Sequence, residues 1–289
     1  MFPSSNENKS YTMGHTKSST ASHATRTIYS DASFLLPYIQ PYYQILDIGC
    51  GPGTITAGFS ELVPHGSVTG IDLGHTILQQ ARENTHALIA RSPDVPRGET
   101  TYQEGDVVVG LKFEDNTFDV VFASQVLIHL PEQVSVVRAL NEMRRLVKPG
   151  GIVATRDGAK MLFYPDYNLE KLWEQNLLKG IGLDEWPGPK MRGHYRQAGF
   201  DVDGLRENGQ KQVIIGVGSN VYAGTMDERK AYIRTFTRRF NPGEPFRECW
   251  IKVGISEEEI QDCIGAFEKW ANTEDAWATT VQSEVLAWK

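Results

Sequence analysis

Apolar positions recur along the first half of this chain in two alternating rhythms. Residues 22–39 carry a helical pattern, and Tyr42 to Ile48 then form a short apolar strand. Thr54 to Phe59 opens a helix, and Ser67 to Ile71 is a second strand ending at Asp72. Ile77, Leu78, Ala81, Leu88 and Ile89 mark one face of the next helix, and Thr100 to Gln103 give a third strand. Phe118 to Ala123 is apolar except for Asp119, as expected of a strand buried on both faces. Pro131 starts a helix whose Val134, Val137, Leu140, Met143 and Val147 share a face. Arg144, Arg145 and Lys148 favour its C-terminal end. Pro149-Gly150-Gly151 stops that helix, and Ile152 to Thr155 is the fifth strand. Such alternation predicts an α/β fold, doubly wound, with a parallel sheet and right-handed crossovers.

Past Asp157 the rhythm breaks. Residues 160–190 bring Met161, Phe163, Tyr164, Tyr167, Trp173 and Trp186 among loop-forming Gly182, Pro187 and Pro189. These aromatics can wall an apolar pocket or fill a small core. Met191 to Ala198 reads as a helix and Gln210 to Gly218 as a strand, and 219–273 is mostly helical. Ser256 with Glu259 is a capping box, and Glu284 to Lys289 is a short last strand. The expected organisation is a disordered tail over 1–10 and a single domain over 11–289. Within it lie a helical lid at 11–40, a core at 41–157, and insertions at 158–190 and 219–275 after strands five and six.

Composition narrows the partners. The 289 residues carry 29 Lys+Arg against 36 Asp+Glu, a net charge of −7, which argues against a nucleic-acid binder. No apolar run exceeds four residues, so no membrane span is expected. Three separated cysteines, Cys50, Cys249 and Cys263, make neither a zinc ribbon nor a disulfide framework, and no metal is expected. The expected location is the cytoplasm, as a monomer or homodimer.

The chemistry gathers around Asp47-Ile48-Gly49-Cys50-Gly51-Pro52-Gly53-Thr54, where a strand runs into glycines at alternate positions and then a helix. Glycine permits positive φ and close ligand approach, and the helix start offers free N–H groups. The dinucleotide fingerprint fails at Thr54, a phosphate-binding P-loop is absent, and so is the G-x-S-x-G of a serine hydrolase. Asp72, about 20 residues on, stands where an acid takes ribose hydroxyls. Asp106 follows the third strand, placed for a purine amine, and Ser124-Gln125 ends the fourth. Each acid alone can equally be a helix cap or a solvated loop residue. Together they follow successive strand ends, where ligands of open α/β sheets bind.

D-x-G-x-G-x-G at 47–53, Asp72, Gly105-Asp106, F-D-V-V at 118–121 and L-V-K-P-G-G at 146–151 resemble the class I S-adenosylmethionine-dependent methyltransferases. The nearest subgroup is similar to small-molecule enzymes of ubiquinone and menaquinone biosynthesis, and Tyr11 to Leu36, with H-x-x-R-T at 23–27, looks like its fungal members. The resemblance implies a Rossmann-like, seven-stranded, mostly parallel sheet. It also implies that Gly49, Cys50, Gly51 and Gly53 shape a loop around the amino-acid part of S-adenosyl-L-methionine. Asp47 then lies near its ammonium, Asp72 with Leu73 at the ribose, Asp106 with Val107 at adenine, and Ser124 with Gln125 on the methionine side.

Methyl transfer needs acceptor and methyl held at attack distance, and a base only when the acceptor must lose a proton. His129 and Asp157 are the candidate bases, although His129 can also pack or cap, and Arg156-Asp157 can be a structural ion pair. Tyr11, His23 and Arg26 in the lid, with Tyr164 and His194 further on, are substrate-side candidates. The expected acceptor is a small organic molecule. Two other readings use the same site: a non-methylating isomerase or cyclase, and a non-catalytic regulatory protein.

Overall fold

The computed structural model describes residues 25–130 and 133–289. Tyr11, His23 and Pro131, like the 1–10 tail, lie outside the described residues. The described part forms two compact units. A sheet unit comprises the residues up to Asp157, Pro187–Val217 and Ser283–Lys289, and an aromatic unit comprises Gly158–Trp186 and Gly218–Gln282.

The strands and main helices are β1 (Gln44–Ile48), α1 (Thr54–Leu62), β2 (Ser67–Asp72), α2 (His75–Arg91), β3 (Glu99–Glu104), β4 (Phe118–Ser124) and α3 (Gln133–Leu146). They continue with β5 (Val147–Tyr164), α4 (Asn176–Gly180), α5 (Met191–Gln197), β6 (Val213–Tyr222), α6 (Met226–Thr237), α7 (Pro245–Lys252), α8 (Glu257–Ala271) and β7 (Trp277–Trp288). The sheet order is β3-β2-β1-β4-β5-β7-β6, and the β3-β2-β1-β4-β5 run is parallel throughout. Crossover helices bury both faces of this run. Leu46, Val121, Val153, Leu140 and Met143 belong to one core, and Ile45, Val120, Phe122, Ile152 and Phe59 to another. That two-sided burial explains why β1 and β4 are nearly all apolar.

Several elements depart from the pattern reading. Among the described residues of 22–39, only one helical turn (Ile28–Asp31) and a tight 3₁₀ turn (Leu36–Tyr38) form, not a long helix. Thr27 and Ser30 cap that turn reciprocally, and Pro37 has no N–H to extend the second. Strand β5 starts earlier and runs nine residues beyond Thr155, to Tyr164. Its far half alternates, with Met161 and Phe163 buried and Leu162 and Tyr164 exposed, a period-two signal hidden by the aromatic composition. The register shifts between Phe118 and Val120 of β4 as Lys148-Pro149-Gly150-Gly151 passes. A Cβ on Gly151 would stand 2.7 Å from the Asp119 carbonyl. The last strand likewise begins at Trp277 rather than Glu284.

In the aromatic unit the rings pack on one another. Trp173 is 1% exposed and lies 4.8 Å from Phe236, 5.3 Å from Phe267 and 5.8 Å from both Phe246 and Trp250, measured between ring centres. Phe163 meets Phe267 and Trp270 edge-on. The buried carboxylate of Glu174 takes the Trp186 indole N–H, the Met161 amide and Lys160. The buried aromatics of 161–186 therefore build a small core. Capping boxes start α6 at Thr225 and α8 at Ser256, the second of these as the sequence predicts.

Candidate functional site

Strand register brings the candidate residues to one crest. Ile48 is level with Ile71 and Ala123, Asp72 with Glu104, and Ser124 with Arg156. The 49–53 loop, Gly105-Asp106 and Gln125 follow the carboxyl ends of adjacent parallel strands, Asp72 and Ser124 end theirs, and Asp157 lies within β5, next to Arg156. Gly49, Gly51 and Gly53 have φ of 66°, 53° and 77°, which explains why each is glycine. A Cβ on Gly49 would collide with Val126 at 2.4 Å, whereas one on Gly51 would meet nothing within 4 Å. The loop is thus packed behind and open in front at Gly51.

Asp72 ties the loop to β2. Its Oδ2 accepts the Gly51 N–H at 2.9 Å and its Oδ1 the Leu73 N–H at 2.7 Å. Asp47 is buried at the end of β1, where Thr56 Oγ1 donates to its Oδ2 at 2.6 Å. Burial, with the Asp72 charge adding to it, pushes the Asp47 carboxyl up to about 7, although the Thr56 bond opposes the shift. Asp106 accepts the Val108 N–H at 2.8 Å, and Val107 turns into the core. The Cys50 thiol is buried beside Ile77, Leu78 and Ala81, and burial raises its pKa.

On the other side of the crest, Ser124 Oγ is buried without a hydrogen-bond partner among the described residues. Gln125 takes a left-handed φ of 58° and donates its N–H to the Arg156 carbonyl at 2.7 Å. His129 ends a 3₁₀ turn, Leu127–His129, and is half-buried. Beneath that turn, Asp157 Oδ1 accepts the Ile128 N–H at 3.1 Å, and Oδ2 has no partner among the described residues. Burial raises the Asp157 carboxyl to about 7, against the turn amides and the Arg26 and Arg156 charges.

The described part of the chain matches a family model described as "Methyltransferase domain" over residues 45–151. It is 38% identical over 292 residues to the protein named "Probable methyltransferase ltbC" from Aspergillus luteorubrus, covering 99% of both chains. The chain belongs to the class I S-adenosylmethionine-dependent methyltransferases. It is also 40% identical over 110 residues to a "Ubiquinone biosynthesis O-methyltransferase" of Albidiferax ferrireducens, spanning 38% of this chain and 39% of that one. The fold matches the YcgJ protein of Bacillus subtilis with a TM-score of 0.52 at 15% identity, covering 88% of this chain and 95% of that one.

The methyltransferase's own residues fit S-adenosylmethionine. Orphaned buried oxygens on Ser124 and Asp157 await polar partners. The open front of Gly51 leaves room beside the loop, and Asp47 close to Asp72 suits a cationic amine.

The remaining candidates are scattered. Arg26 Nε stands 4.0 Å from Asp31 Oδ1 and contributes charge at Asp157. Arg156 and Asp157 are not an ion pair: alternation sends them to opposite faces of β5. Arg156, 1% exposed, instead pairs with Asp31 at 2.8 Å and Glu284 at 3.0 Å. His194 is buried on α5 with Nδ1 unpartnered among the described residues, and burial lowers its pKa. Tyr164 is 60% exposed in the aromatic unit. Thr56, Asp31 and Glu284 escape sequence reasoning. Thr56 sits in the first turn of a helix whose register relative to β1 is set by three positive-φ glycines.

Proposed function

We propose that this methyltransferase acts on a small organic acceptor bearing a hydroxyl, and that the crest holds S-adenosylmethionine through the residues described above. The observation carrying this reading is the shared register of the glycine loop, Asp72, Asp106 and Ser124 at the ends of four parallel strands. When bound, the cofactor supplies a methyl group activated on a sulfonium. Gly51 N–H and Asp72 order the loop, Asp47 holds the ammonium, Asp72 the ribose, and Asp106 the adenine edge. Ser124 and Gln125 face the methionine side. Asp157 supports the turn that carries His129, and these two supply proton-accepting groups at the crest. A carboxyl titrating near 7 is basic enough to receive an acceptor proton at neutral pH.

A hydroxyl acceptor accords with the name of the ubiquinone biosynthesis O-methyltransferase relative. The net charge of −7 disfavours a nucleic-acid acceptor. Three free thiols support a reducing compartment such as the cytoplasm. The test is incubation of the protein with methyl-labelled cofactor and a metabolite extract. Label is expected in a low-molecular-weight aryl or alkyl methyl ether. Turnover without label transfer, or label only in macromolecules, would overturn the reading.

Asp47 also makes cofactor binding pH-dependent. Its carboxyl is half protonated near 7 in the free protein, and an ammonium partner favours the ionised form. Affinity for S-adenosylhomocysteine is therefore expected to rise with pH up to about 7 and then level. The slope approaches about tenfold per pH unit below that point. Calorimetric titration between pH 5 and 8 measures it, and a flat profile would remove Asp47 from the ammonium site.

A further inference from the structure

The back of the glycine loop rests on a hydroxyl pair. Tyr102 projects from β3 beneath Gly53, and its hydroxyl lies 3.3 Å from the Gly53 carbonyl and 2.7 Å from Thr85 Oγ1 of α2. Thr85 Oγ1 also lies 2.9 Å from the Ala81 carbonyl. One residue earlier, Asn84 Nδ2 donates to the Pro52 carbonyl at 2.8 Å. Helix α2 therefore grips two successive loop carbonyls, one directly and one through Tyr102.

Two glycines make room for this tyrosine. A Cβ on Gly53 would stand 2.6 Å from the Tyr102 hydroxyl, and a Cβ on Gly70 would stand 2.7 Å from its ring. A hydroxyl carries one proton, so the pair has two protons for three short contacts. When Thr85 donates to Tyr102, Tyr102 donates to Gly53 and the loop is tied to α2. When Tyr102 donates to Thr85, Thr85 donates to Ala81 and the Gly53 carbonyl keeps the Ala57 N–H but loses its tie to β3 and α2.

We propose that Tyr102 is a positioning residue for the amino-acid half of the cofactor, fixing the loop from behind without touching the ligand. This rests on the reading that the loop cradles that half of S-adenosylmethionine. The tyrosine ring fills the slot left by Gly53 and Gly70, so Tyr102→Phe preserves the packing and removes only the hydroxyl. Thr85 and Tyr102 also line a cavity of about 300 Å³, through which water can reach the remaining Thr85 hydroxyl.

The experiment compares two probes by calorimetry on the full chain. S-adenosylhomocysteine reports the whole cofactor, and 5′-methylthioadenosine, which lacks the amino-acid part, reports the nucleoside half. Tyr102→Phe is expected to weaken S-adenosylhomocysteine about five- to tenfold and to leave 5′-methylthioadenosine within about twofold of wild type. Thr85→Val leaves the Gly53 carbonyl as the acceptor for the Tyr102 proton and should hold S-adenosylhomocysteine within about twofold of wild type, and Thr85→Ser should bind as wild type does. Unchanged S-adenosylhomocysteine affinity in Tyr102→Phe overturns the proposal. So does an equal loss for both probes, because a general loosening of the fold would not distinguish them. Failure of the wild-type protein to bind either probe is a separate result, and it removes the cofactor reading itself.

Discussion

Replacing Asp72 by alanine is expected to weaken S-adenosylhomocysteine binding by about a hundredfold, or ~2.7 kcal/mol. Asp72 has two tasks in the site. Its Oδ2 holds Gly51 N–H and its Oδ1 holds Leu73 N–H, at 2.9 and 2.7 Å, so removal frees the loop at its most open glycine. Hydrogen bonds to an ionised acceptor contribute about 1.5–3 kcal/mol each, and the ribose contact proposed for the same carboxylate is lost with them. Asp72→Asn keeps one oxygen acceptor and should fall between alanine and wild type. Calorimetric titration decides the matter, and wild-type affinity in the alanine variant would end the assignment of Asp72 to the cofactor.

Arg156→Met should destabilise the sheet unit by about 3–5 kcal/mol, the usual cost of breaking a buried ion pair from one side. The guanidinium is 1% exposed and bridges Asp31, 2% exposed, to Glu284. Methionine retains much of the volume and strands the buried Asp31 carboxylate and the partly buried Glu284 carboxylate without their cation. The triple variant Arg156→Met, Asp31→Asn, Glu284→Gln should recover most of the loss, because neutral amides remove the uncompensated charges. Urea unfolding monitored across these variants gives the comparison. A single-variant loss below about 1 kcal/mol would show that the network contributes little.

The sequence carries much of the sheet legibly because β1, β4 and β5 hold apolar runs and α1, α2 and α3 repeat at 3.6 residues, whereas β3 buries Tyr102 alone. The glycine loop is equally legible, since positive φ at 49, 51 and 53 leaves its mark as glycine. What sequence hides is anything made by long-range packing. Asp31 and Arg156 are 125 positions apart, and nothing local to either announces the other. Tyr102 reads as an ordinary strand aromatic until its contact with Gly53, 49 positions away, is seen. Among the described residues of 22–39 the long helix fails for local reasons instead: Thr27 is extended and caps the turn from outside it, and Pro37 brings no N–H to carry a helix on.

The interleaving of the two units also governs the order in which the molecule can be completed during synthesis. The sheet unit owns the crest that appears early in the chain, yet it also needs Ser283–Lys289. Val285 and Ala287 fill one core, Leu286 and Trp288 the other, and the Lys289 carbonyl accepts the Gly150 N–H at 2.8 Å. A ribosome-bound chain that has released the glycine loop, Asp47, Asp72 and Asp106 still lacks the strand that seals both cores. Under the proposed function, cofactor capture would wait for residues made more than two hundred positions after the glycine loop, so a prematurely terminated chain should carry the binding signature without the ability to bind.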